Sequence, residues 1–331
     1  MPIRDKLAQL LMVGVAGADD ARTVVANQHV GGIMIDSWTD LSMLRDGSLK
    51  TDIAGLASPL PLAVSVDEEG GRVQRLSSLL GSAPSARELA QTQSTEQVYQ
   101  LSLDRGREMR RYGITIDFAP VVDVTAAPDD TVIGDRSFSD DPAVVTAYAG
   151  AYASGLRDAD VLPVLKHFPG HGRASGDSHK NGVTTPPLDD LKASDLLPYQ
   201  TLTAQTPVGV MIGHMQVPGL TETDPASLSQ AAVDLLRGGT RYGGQPFDGP
   251  VFTDDLSSMK AITERYNVAE AVLKALKAGA DTALWITTAE VPTVLDRLLS
   301  AQADGELSMT NIDASVQRMA KAKAFSSGCG H

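Results

Sequence analysis

The sequence predicts an α/β fold, a single-domain (β/α)8 barrel, and three observations carry that reading. Short, almost continuously apolar runs recur along the chain, helical stretches separate them, and the long polar loops follow the apolar runs instead of preceding them. Near-continuous apolarity over a few residues is what a strand buried on both faces requires. An open doubly wound sheet is the alternative topology.

The runs are VGGIMI (30–35), LAVSVD (62–67), ITIDFAPVVDV (114–124), VLPVLKHF (161–168), VGVMIGH (208–214), PVFTDDL (250–256) and TALWI (282–286), with an eighth near Leu10 to Val15. Helical signals stand between them. Ser94 and Gln97 have capping-box spacing ahead of an apolar stripe of Val98, Leu101 and Met109 that stops near Gly113. Asp141 and Pro142 open a second helix, with Val144, Val145, Tyr148 and Tyr152 at helical spacing. Asn267 is placed to cap VAEAVLKALKAG, which ends at Gly279. The polar loops at 124–135, 169–190 and 215–229 then fall on the face of a barrel where catalytic groups gather. The barrel is expected over residues 1–325, with a polar tail at 326–331.

Composition narrows the function. With 42% hydrophobic residues and a mean hydropathy of −0.07, the chain reads as an ordinary globular protein whose core, given 5% aromatics, is mostly aliphatic. A net charge of −13 with no basic cluster excludes a phosphate-backbone partner, so nucleic acid is not expected. The single cysteine, Cys329, rules out an intramolecular disulfide framework and a cysteine metal cluster. No 18-residue apolar stretch and no basic leader are present. The chain is therefore expected to be cytoplasmic as written, or the mature form of a precursor whose leader was trimmed, with no transmembrane segment.

Polar residues collect where the predicted strands end: Asp67, then Asp117 and Asp123, then Lys166 and His167, then His214, then Asp254 and Asp255. A lone strand-end Asp is usually a cap or loop anchor, but five strands ending alike point to a site. The stretch KHFPGHGRASGDSHKN (166–181) holds three of the six histidines and admits two readings. As a metal site it would use His167 and His171 with Asp177, His179 and His214, although Pro169 and Gly170 spoil the helix that would align the first pair. As an acid/base loop it would use Asp177 to hold the tautomer of His179, with glycines at 170, 172 and 176 allowing the loop to open and close. GPVFTDDLSS supplies a carboxylate, Asp254, of the kind that captures an oxocarbenium-like centre, with Asp255 or Ser257 nearer a capping role. Asp67, Arg75, Arg136, Lys166 and His167 would clamp the hydroxyls of a sugar ring.

Taken together, KHFPGHG followed by DSH, VDEEGGRVQR, DFAPVVDV, VIGDRSF and VFTDDL resemble the bacterial β-N-acetylglucosaminidases of glycoside hydrolase family 3, the type linked to peptidoglycan recycling. The likeness runs from about residue 5 to 320. It implies a retaining exo-hydrolase acting on N-acetylglucosaminides or muropeptides through a covalent glycosyl-enzyme. Asp254 matches the nucleophile, and His179, paired with Asp177, matches the histidine acid/base of this branch. Asp67, Arg75, Arg136, Lys166 and His167 match residues that bind the sugar in the −1 subsite. No metal and no cofactor is implied.

The family's β-glucosidases add a second domain that often brings a glutamate acid/base, whereas this chain ends with the barrel, so the acid is expected from the Asp177/His179 loop. An imidazole acid/base does not repel phosphate, which leaves phosphorolysis as the alternative reaction and β-glucosidase-like specificity as the alternative substrate range. Two stretches depart from the family. DSWTDLSM (36–43) replaces an Asn-containing segment, and its Trp38 is read as a packed loop aromatic in preference to a sugar-stacking one. DDLSSMKAI, after the nucleophile, is about one residue longer than usual.

Overall fold

In the computed structural model, which describes residues 1–56, 58–177 and 182–326, the predicted apolar runs form one parallel sheet. We number its strands β1 Leu11–Gly14, β2 Gly32–Ile35, β3 Ala63–Val66, β4 Ile116–Asp117, β5 Leu162–Phe168, β6 Gly209–Ile212, β7 Val251–Thr253 and β8 Ala283–Trp285. Each pairs with its sequence neighbour, and β1 also pairs with β8. Between β7 and β8 the ring closes through the parallel bridge Phe252 to Thr282 and the bond from Thr253 N to Thr282 O, 3.1 Å. The barrel reading holds, and the open sheet is set aside.

Buried apolar residues separate into two clusters, as strand alternation dictates. Met12, Met34, Ile116, Leu162, Met211 and Phe252 belong to the one that fills the barrel, while the other packs strands against helices. Met319 and Ala322, on the last helix Met309–Ser326, join the interior cluster. Ser326 Oγ donates to Thr115 O at 3.0 Å and Lys323 Nζ to Gln9 Oε1 at 2.9 Å, so this helix seals the end of the barrel where strands begin.

The expected helix ends are present. Ser94 and Gln97 exchange both bonds of a capping box at the head of helix Thr95–Arg111. Asp141 caps Pro142–Asp158, and Asn267 caps Val268–Ala278, which stops at a left-handed Gly279. One strand differs from expectation. The run 114–124 is regular only over Ile116–Asp117, because Pro120 has no N–H to give the ladder. Beyond it the chain still follows β5, with Val122 N donating to Lys166 O at 2.8 Å, and this brings Asp123 to the barrel mouth. Among the described residues no helix is long and apolar enough to cross a membrane.

Candidate active site

The strand ends converge on one cavity of about 360 Å³ lined by Asp36, Asp67, Glu69, Arg75, Arg136, Lys166, His167 and Asp254, among others. Six of the eight residues predicted for the site therefore share it: Asp67, Arg75, Arg136, Lys166, His167 and Asp254.

Its floor is an ion network around Lys166, whose side chain is 2% exposed. The ammonium lies 2.6 Å from Asp67 Oδ1 and 2.6 Å from Glu69 Oε1. Arg136 grips the same Glu69 with both arms, Nε and an Nη each 2.8 Å from a carboxylate oxygen. Burial alone would raise the Glu69 carboxyl, but Arg136 and Lys166 overcome it and hold the group far below the usual carboxylate range. Burial likewise draws the Lys166 ammonium down, and Asp67 with Glu69 more than reverses this. Lysine and glutamate are thus both charged at neutral pH. The Lys166–His167 and Phe168–Pro169 peptide bonds beside them are cis.

Glu69 reaches this position because residues 67–76 fold back as a small hairpin, Glu68–Gly70 against Val73–Gln74. Gly70 takes φ +95°, and a Cβ there would meet Pro84 O at 2.3 Å, so no other residue serves. The hairpin is braced from below. Glu68 accepts from the backbone N–H groups of Arg75 and Leu76, each at 2.8 Å, and pairs with Arg105 from the helix Thr95–Arg111. Arg75 is turned to the cavity with Nε 3.3 Å from Asp36 Oδ1, a carboxyl that burial raises.

Asp123 organises the second wall. Its Oδ2 lies 2.7 Å from His167 Nδ1, and its Oδ1 accepts from the backbone N–H of His171 at 2.6 Å. Burial would raise this carboxyl, and His167 and His171 hold it below the ordinary value. As an anion it receives the Nδ1–H of His167, which leaves Nε2 as the ring atom available to a ligand. His171 packs edge to face on His167 at 5.9 Å, and burial pushes its imidazole down to about 4. Among the described residues no three His, Cys, Asp or Glu side chains are arranged to hold a metal ion.

Asp254 and Asp255 divide their work. Asp255 accepts from Ser257 N and Ser257 Oγ at 2.8 Å each and from Ser258, an anchoring turn of the kind expected of it. Asp254 follows β7, its N–H bonded to Ile212 O at 3.0 Å and its Oδ1 accepting from Asp255 N at 2.8 Å.

His179 lies outside the described residues, so its pairing with Asp177 does too. Asp177 does not line the cavity that holds Asp254. It lines a neighbouring cleft with His171, Gly172 and Ser175, and the two hollows share Arg72 and Val132. Arg72 is held there by the carbonyls of Asp129, Thr131, Val132 and Ile133.

Two residues were misjudged from sequence. Glu69 went unremarked inside DEEGGR, although a second carboxylate two residues beyond Asp67 was a signal that a lysine ending a buried strand needed another partner. Trp38, expected to be packed, is 47% exposed and lines the cavity. In the turn that carries it, Asp36 and Thr39 are the buried side chains.

The chain resembles known proteins over nearly its whole length. Residues 2–322 match the family model described as the glycosyl hydrolase family 3 N terminal domain. A β-hexosaminidase of Mycobacterium tuberculosis, LpqI, is 69% identical over 328 residues, spanning 99% of this chain and 84% of the relative. The crystal structure of a family 3 glycosyl hydrolase from Mycobacterium smegmatis superposes with a TM-score of 0.96 at 72% identity, covering 97% of each chain. A family 3 β-N-acetylglucosaminidase from Paenibacillus superposes at 0.91 with 33% identity, covering all of this chain and 64% of that one.

Two outcomes are expected from this network. Glu69→Gln leaves Arg136 without its carboxylate and Lys166 with one partner, and should cost about 3–5 kcal/mol in urea unfolding at neutral pH. His171 takes up a proton near pH 6.5 when unfolded and near 4 when folded. The unfolded state then binds more protons between those values, so stability falls as pH drops through that window, by on the order of 3 kcal/mol. Urea midpoints across that range should fall less steeply in His171→Gln, and an unchanged slope would show that the imidazole titrates normally.

Proposed function

The chain belongs to glycosyl hydrolase family 3, and on that premise we propose that it removes terminal N-acetylglucosamine by a retaining, two-step hydrolysis. It is a β-N-acetylhexosaminidase by kinship with the mycobacterial enzyme. The observation that carries the mechanism is the meeting of one strand-end carboxylate, Asp254, with the buried Lys166–Glu69–Arg136 network in a single cavity.

The network is the part that binds. A sugar hydroxyl both donates and accepts, and here fixed donors on Lys166, Arg75 and Arg136 stand beside acceptors on Asp67 and His167. Because their partners already hold these groups in place, little reorganisation is needed when the ring enters. The ring so held presents its anomeric carbon to Asp254. In the first step an Asp254 oxygen bonds to that carbon as the glycosidic C–O bond breaks, and His179 gives its proton to the departing oxygen. In the second step His179 takes a proton from water, whose oxygen displaces the carboxylate and releases the sugar. Asp177 orients His179 in this reading. We place the natural substrates among cell-wall fragments with terminal N-acetylglucosamine, a reading supported by the bacterial β-hexosaminidases that the chain resembles.

Product analysis tests the reaction. An aryl β-N-acetylglucosaminide, incubated with chelator and with or without phosphate, should yield free N-acetylglucosamine either way, first as the β-anomer in proton NMR. Sugar 1-phosphate that scales with phosphate would make the protein a phosphorylase. Asp254→Ala should abolish turnover with the fold intact, and retained activity would move the nucleophile to Asp255. His179→Ala should slow poor leaving groups by roughly 10²- to 10⁴-fold and activated phenols far less. Equal losses on both would leave His179 a structural role.

A further inference from the structure

Trp38 has no part in the mechanism above. Among the described residues the large apolar side chains that stand exposed are Met1, at 48%, and Trp38, at 47%. The first is the chain's initial residue. The second lies on the rim of the active-site cavity.

The turn that presents it is pinned on both sides. Asp36 N donates to Thr39 Oγ1 at 2.9 Å, and that hydroxyl donates to Val15 O at 2.7 Å. Thr39 N bonds Asp36 O at 3.1 Å, and Asp40 N bonds Ala16 O at 2.8 Å. Trp38 therefore sits on a two-residue bulge whose flanks are bonded to the end of β1. The backbone that carries the indole is thus held in place before any ligand arrives.

The turn is also joined to the sugar clamp, since Asp36 is the partner of Arg75. Among the residues that line the cavity, Lys166 is 2% exposed, His167 5% and Asp36 8%, against 47% for Trp38. An exo-hydrolase seats its terminal sugar among the enclosed groups, and the exposed indole lining the same cavity is then available to the rest of the substrate. A pyranose with equatorial substituents has an apolar face of axial C–H groups that fits an aromatic surface, and Trp offers a large contact area at low entropic cost.

We propose that Trp38 is the stacking platform of a leaving-group subsite, which takes a second β-linked pyranose ring and makes the enzyme favour disaccharide units over simple glycosides. The inference rests on the hydrolase reading above. It assigns the specificity for that second ring to the DSWTDLSM segment, residues 36–43.

Two measurements test it. The first compares kcat/KM for N,N′-diacetylchitobiose and for methyl β-N-acetylglucosaminide. Trp38→Ala should lose about tenfold more on the disaccharide than on the methyl glycoside, and Trp38→Phe should recover part of the difference. If the wild-type protein releases N-acetylglucosamine from neither substrate, the hydrolase reading falls, and this inference with it. Turnover of both with equal losses, or none, in Trp38→Ala overturns the subsite alone.

The second needs no turnover. The chain has two tryptophans, and Trp285 is 0% exposed, so acrylamide quenching reports Trp38. A non-hydrolysable thio-linked chitobiose should protect it, and N-acetylglucosamine alone should not. Equal protection by the monosaccharide, or no protection by either ligand, would overturn the assignment.

Discussion

An ammonium buried to 2% exposure at the end of a barrel strand is tolerated only where opposite charge meets it, and Lys166 meets two carboxylates at 2.6 Å. Much of the site follows from that requirement. Asp67 comes with β3, but Glu69 comes only if the chain turns back at once, which is what the hairpin at 68–74 and its glycine accomplish. Glu69 then has capacity left, and Arg136 takes it from a loop far along the sequence. Two anions and two cations close the set with no net charge. That balance suits a neutral sugar, which needs oriented hydrogen bonds from the wall and no compensating charge.

The histidine wall obeys the same logic with a different anchor. Asp123 is buried, and it is satisfied by the imidazole of His167 and by the backbone N–H groups of His167, within β5, and of His171, just after it. One carboxylate thus sets the tautomer of His167 and the path of the chain through His171. Gly172 continues that path under Val124, where a Cβ would come within 2.2 Å of a carbonyl oxygen. The loop assigned the acid/base in the proposed mechanism begins from this crowded corner.

The barrel and most of this site were legible in the sequence because both depend on local patterns. Apolar runs of strand length gave the sheet, and the polar residue ending each run gave Asp67, Lys166, His167 and Asp254. Arg75 and Arg136 were legible through motif likeness. Charge partnership was not, since which carboxylate satisfies Lys166 depends on a hairpin that brings Glu69 back over the strand end. Exposure was illegible for a similar reason. Nothing within DSWTDLSM says whether its indole turns inward, because the answer lies in Thr39 bonding to Val15, 24 residues away in the chain. The division between Asp254 and Asp255 could be read as a tendency, and the two serines that occupy Asp255 give it a cause.

The two halves of the proposed reaction come from separate strands, yet the fold couples their supports. Ser175 N donates to Thr184 O at 2.8 Å and Thr184 N to Ser175 Oγ at 3.0 Å, so the two ends of the segment that carries Asp177 meet at one neck. The far side of that neck, Val183–Thr184, pairs with Met215–Gln216. His214 precedes that pair directly, buried to 1% exposure, with Nε2 at 2.7 Å from Asp255 O. A carbonyl can only accept, so Nε2 carries the proton; in the neutral ring Nδ1 is then the acceptor for Ser227 Oγ at 2.7 Å. This histidine thereby ties the backbone beside Asp254 to the strand pair at the neck of the segment that carries Asp177. In a barrel whose reacting groups ride on different loops, such a cross-tie supplies the shared reference that the separate strands do not.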